Sequence, residues 1–154
     1  MGIELELQLA IPAEGVPPRE DFQAWVEAAL VGRRDQAELV IRVVDEAESA
    51  ELNQRYRQKS GATNVLSFPF QAPPPVESDL LGDVVICVPV VRRQSEEQGK
   101  AERAHWAHMV VHGVLHLVGY DHEESAQAAE MESTEAGVLA RLGFPDPYQS
   151  DGAL

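Results

Sequence analysis

Apolar residues along this chain follow two rhythms. Ile3, Leu5, Leu7 and Leu9 alternate with Glu4, Glu6 and Gln8, the period-two pattern of a strand with one buried face. After the proline-rich stretch IPAEGVPP the spacing changes. Phe22, Trp25, Val26, Ala29 and Leu30 recur at helical intervals and Gly32 follows, which predicts a helix closing there. AELVIRVV (37–44) predicts a second strand, and Asp45 is placed to cap a helix through Glu51, Leu52 and Tyr56 that delivers Arg57 at its end. NVLSFPF (64–70) predicts a short edge strand, because Pro69 has no N–H for a ladder. QAPPPVESD is expected to form a stiff, exposed loop and to be the mobile element. Gly82–Val88 is almost continuously apolar, as a central strand would be. Helices are expected over Val90–Gln98, Lys100–Val118 and Glu123–Leu142. The second is apolar on most sides and hence buried, and Gly119 suits the left-handed residue that closes it. The pattern describes one α+β domain over residues 1–144: a small mixed sheet of about four strands packed with about five helices. Residues 145–154 are expected to be a flexible C-terminal tail.

The most apolar helix also concentrates imidazoles. Three of the five histidines lie in HGVLHLVGYDH (112–122). At roughly 100° per residue, His105, His108, His112 and His116 form one stripe about 80° wide. His112 and His116, one turn apart, can offer two ring nitrogens to one ion. Gly119 lets the chain reverse and return His122 to the same face. A lone histidine in a core is usually satisfied by a carbonyl; three linked by a glycine turn point to metal ligands. Two ligands from a helix and one from a turn leave a fourth position open, as in a catalytic site. Neutral imidazoles also suit nickel, copper and iron, but tetrahedral preference and availability favour one Zn²⁺ per chain. The spacing resembles the metzincin protease pattern HExxHxxGxxH with one departure. Gly113 stands where those enzymes carry the glutamate that takes a proton from water, so a protease-like zinc metallohydrolase is the alternative, not the first reading.

Charge and composition refine the picture. The 154-residue chain carries a formal net charge of −14, which opposes a polyanionic partner at long range. The charge is uneven, however. Tyr120–Leu154 holds eight acidic residues against Arg141 alone, whereas Asn53–Val76 holds none and contains Arg55, Arg57 and Lys59. That basic segment reads either as a recognition surface or as solvated helix-end charge. Cys87, the only cysteine, allows no internal disulfide and reads as a buried strand residue. The N-terminus is unlike a secretory signal and no run of about 18 apolar residues exists, so a cytoplasmic protein without a membrane partner is expected.

HGVLHLVGYDH, preceded by AHWAHMVV, resembles the signature of the YbeY endoribonucleases, bacterial rRNA-maturation enzymes. The resemblance extends through ELNQRYRQKSGATNVLSFPF (51–70) and LLGDVVIC (80–87), roughly the middle half of the chain. It implies a single-strand-specific, metal-dependent endoribonuclease acting in rRNA processing (16S rRNA 3′-end maturation) and ribosome quality control. It also implies association with the small ribosomal subunit, one of its proteins and the Era GTPase. A zinc-containing ribosome-assembly factor without catalysis is a further alternative. The family's three metal ligands fall on His112, His116 and His122, and its required arginine on Arg57. Arg57, His112 and His116 are thus the expected catalytic residues, with Arg57 stabilising phosphate charge bidentately and Arg55 and Lys59 lining an RNA path. Asp121 is suited either to orient a ligating imidazole or to form a capping box with Glu124. His108 and His105 are candidates for proton transfer or for packing. Ser67 and Asn64 read as RNA contacts or turn residues, and Phe68 and Phe70 as base-stacking or core aromatics.

Overall fold

The computed structural model describes residues 2–70, 78–121 and 124–148. In chain order its elements are β1 (Gly2–Leu9), α1 (Arg19–Leu30), β2 (Gln36–Val44), α2 (Glu46–Arg57), β3 (Val65–Pro69), β4 (Leu80–Cys87), α3 (Val88–Gln98), α4 (Glu102–Leu117) and α5 (Ser125–Arg141). The sheet runs β1-β2-β4-β3. β1 and β4 pair parallel to β2, and β3 pairs antiparallel to β4. Parallel β1 and β2 need a crossover, which α1 supplies. The expected α+β domain with its small mixed sheet is therefore the observed one, with β4 interior and proline-bearing β3 at an edge.

Alternation in the strands divides the sheet between two apolar layers. Leu5, Leu39, Ile41, Val43, Val84 and Ile86 face the main core, built with α1, α4 and α5. There Phe22 meets Trp25 and Trp106 edge-on, each at 5.8 Å between ring centroids. Val44, Leu66, Val85, Cys87 and Val90 form a smaller layer on the opposite face, with Leu52 and Phe68 packed against it. α4 is buried along most of its length, as its all-round apolarity predicts.

Boundaries shift where local chemistry competes with periodicity. Asp45 caps α2 as expected, accepting from the Glu48 N–H at 2.9 Å. Val88 opens α3 instead of ending β4, because Pro89 pre-sets the first helical turn. α5 begins at Ser125 with Glu124 as N-cap and no side-chain capping bond, so the Asp121–Glu124 capping box does not form. The expected mobile loop lies mainly in residues 71–77, outside the described residues. Of the expected tail, residues 145–148 are described, and Tyr148 packs edge-on to His108 at 5.3 Å.

Candidate metal centre

α4 lies against β3 and β4 through Gly113. A Cβ there would stand 2.6 Å from Val84 Cγ1, and the Gly113 carbonyl accepts from the Ser67 hydroxyl at 3.0 Å. Ser67 thereby ties β3 to the α4 backbone. This seating presents the four α4 histidines in series, with ring centroids 6.1 Å apart for His105–His108, 6.2 Å for His108–His112 and 4.8 Å for His112–His116. At its far end Gly119 takes φ +106°, and Tyr120 N–H donates back to the Leu115 carbonyl at 3.0 Å, closing the helix as glycine allows.

The stripe divides by what lies behind each ring. His105 is buried and bonds Gln94 Oε1 through Nε2 at 2.9 Å; the same oxygen accepts from Asn64 Nδ2 at 3.0 Å. Burial, with His108 and Lys100 adding repulsion, pushes His105 down to about 4. His108 Nε2 lies 2.9 Å from Glu135 Oε1, and His112 Nδ1 lies 2.5 Å from Glu135 Oε2. Tyr148 donates its phenolic O–H to Glu135 Oε1. Glu135 is fully buried. Burial raises its pKa, but bonds from His108, His112 and Tyr148 outweigh that and hold it down to about 2. Burial and the carboxylate push the Tyr148 phenol up, which keeps it a donor.

His108, His112 and Glu135 each bring a ligand atom to within 4.8 Å of one another, so this group can hold a metal ion. The contacts within it have hydrogen-bond lengths, and they tie Nδ1 of His112 to the carboxylate. His112 and His116 bring their rings to 4.8 Å apart, one turn onward, and imidazole nitrogens are donors that suit zinc and related cations. The residues present fit a metal. His122, the third expected ligand, lies outside the described residues. Asp121 is half-buried, between α4 and α5.

Of the expected basic residues, Arg55 and Arg57 lie in the last turn of α2. Arg57 ends α2, which packs on the smaller layer, and Tyr56 meets Phe68 of β3 edge-on at 5.2 Å. Arg55 pairs with Glu51 at 3.5 Å. Arg57 and Lys59 are exposed and make no ion pair among the described residues. Phe68 is part of the smaller layer, whereas Phe70 is exposed.

Glu135 and Tyr148 were not anticipated. A signal existed for Glu135: Met131, Glu135, Val138, Leu139 and Leu142 share one helical stripe, and an acid on an apolar stripe needs a partner. Tyr148 carried none, since it follows two prolines outside any periodic segment.

An α+β scaffold that wraps a buried histidine helix, with a carboxylate locked behind its rings, defines a protein built around a metal-competent site. Comparison with known proteins specifies which kind. The family model described as Endoribonuclease YbeY matches residues 14–143, and the chain belongs to that family. It is 55% identical over 152 residues to the Endoribonuclease YbeY of Nitrosococcus oceani, across 97% of this chain and 99% of that relative. The solution structure of TM1509 from Thermotoga maritima shares the fold, with a TM-score of 0.59 at 24% identity over 96% of this chain and 99% of that one. The chain is thus an endoribonuclease, a hydrolase acting on RNA. Among the described residues no helix is long and apolar enough to cross a membrane.

Proposed function

We propose that this protein is a zinc-dependent, single-strand-specific endoribonuclease that matures the 3′ end of small-subunit rRNA in the cytoplasm. His112, His116 and His122 are its metal ligands. The observation that carries the reading is the His112–His116 pair on α4, with Glu135 bonded to Nδ1 of His112. Zinc bound there would supply Lewis acidity, lowering the pKa of water and offsetting phosphate charge. Arg57 takes the scissile phosphate through its planar fork, stabilising charge that grows in the transition state. Its exposure and lack of an ion pair among the described residues support that role. Lys59 and Arg55 guide the backbone of the strand toward it. The family resemblance makes the small ribosomal subunit, one of its proteins and the Era GTPase the candidate partners for this role. A protease-like reading is disfavoured, because position 113 faces Val84 and leaves no room for a carboxylate.

The test is metal analysis of the purified protein with cleavage of single-stranded and duplex RNA, with and without chelator. His116→Ala loses both metal and cleavage. Arg57→Lys retains metal and loses most cleavage, because an ammonium cannot make the paired contacts of guanidinium. Full nuclease activity in His116→Ala refutes the reading.

A further inference from the structure

Three hydrogen-bond donors converge on Glu135, the one buried acid among the described residues. A carboxylate accepts and has no proton to give, so each of the three must donate. His112 then carries its proton on Nδ1, which leaves the lone pair of the neutral ring on Nε2. His108 carries its proton on Nε2, which leaves a bare Nδ1, and that atom is buried without a partner among the described residues.

We infer that Glu135 is a positioning residue for the metal centre. It fixes the tautomer and tilt of His112 so that Nε2 is the ligating nitrogen, and His108 and Tyr148 hold the carboxylate in place. The inference rests on His112 being a metal ligand. The anchoring is stiff. Glu135 shares its helix face with buried Met131, Val138 and Leu139. Tyr148 is tethered on three sides: its phenol on Glu135, its N–H on Asp146 Oδ1 at 2.8 Å, and the preceding Pro147 carbonyl on Lys100 Nζ at 3.0 Å. The segment at 145–148 is therefore joined to the metal centre through the Tyr148 phenol. A carboxylate behind a ligating imidazole makes the ring a better donor and restricts its rotation.

Nitrogen-edited NMR of the histidine-labelled, metal-free full chain near neutral pH reads the tautomers directly. The wild-type protein is expected to show His112 protonated on Nδ1 and His108 on Nε2. In Glu135→Gln the amide offers one acceptor and one donor, so one of the two rings must exchange its tautomer. Competition with a chromogenic zinc chelator is expected to show a roughly 10–100-fold loss of affinity in Glu135→Gln. Tyr148→Phe is expected to show a smaller loss in the same direction, with the fold retained. If Glu135→Gln does not fold, the wild-type tautomers and Tyr148→Phe decide. His112 protonated on Nε2, or wild-type zinc affinity in the folded variants, overturns the inference. So does loss of zinc in His108→Gln with retention in His116→Ala, which would put the ion among His108, His112 and Glu135. Zinc affinity unchanged in both His112→Ala and His116→Ala sinks the ligand reading instead, and leaves the tautomer result standing as a fact about the buried carboxylate.

Discussion

Replacing Gly113 with alanine tests whether the histidine-bearing α4 is seated on the sheet by the absence of one methyl group. The new Cβ would lie 2.6 Å from Val84 Cγ1, 3.2 Å from Val84 Cγ2 and 3.3 Å from Ser67 Oγ. Val84 is fully buried on an interior strand, and its branched side chain is stiff about χ1, so the contact cannot be relieved by a rotamer change alone. Two effects oppose each other. Alanine gains about 0.5–1 kcal/mol over glycine inside a helix. Overpacking a core costs about 1–3 kcal/mol, and pushing α4 off the strands weakens the Ser67–Gly113 bond, worth about 1 kcal/mol. The costs win, for a net loss of about 1–2 kcal/mol, which lowers Tm by roughly 3–8 °C in a chain of this size. Urea unfolding followed by circular dichroism measures it. Val84→Ala makes room for the methyl, so the double variant should be more stable than additivity predicts, by roughly 0.5–3 kcal/mol. A Gly113→Ala protein as stable as wild type, with an additive cycle, refutes the packing argument. Gly113→Glu, which restores the metzincin glutamate, should unfold the protein and create no peptidase.

Burial holds His105 at about 4 in the folded protein, against 6.5 unfolded. The unfolded chain takes the proton first, so the stability from keeping His105 neutral is complete above about pH 6.5 and is lost as pH falls toward 4. Between pH 7 and pH 5 the wild type should lose about 2 kcal/mol through this residue, and His105→Gln should remove that slope; equal slopes in urea titrations would contradict the account. Asp45→Ala should cost about 1 kcal/mol by releasing the Glu48 N–H, with Asp45→Asn close to wild type; chemical denaturation of the three proteins checks it.

Periodicity and capping chemistry made most of the fold legible. Alternation in 3–9 identified β1, the proline in NVLSFPF placed β3 at an edge, and unbroken apolarity put β4 inside. Errors of one or two residues fell at helix starts: at Val88, where Pro89 outweighed the hydrophobic pattern, and at Ser125. At the site, the four-histidine stripe followed from helical spacing alone, since it depends only on 3.6 residues per turn. What differs among those histidines did not follow. His105 and His108 are bonded by Gln94, Glu135 and Tyr148, which are 11, 27 and 40 residues distant from those rings.

Gly113 shows how a local reading can be right about an absence and silent about its cause. Read beside a protease motif, the glycine is a missing general base. In the folded chain it is the contact by which α4 approaches β3 and β4, and its carbonyl is already engaged by Ser67. One position cannot serve both uses, because a side chain at 113 points into the sheet. Chemistry that needs a proton acceptor must then draw it from another element. The nearest buried carboxylate, Glu135, is already committed to three donors and is held ionised by them. A carboxylate kept so far below neutrality is a poor proton acceptor. Its energetic contribution lies in fixing orientation, and Glu135 itself is not suited to take a proton during RNA cleavage.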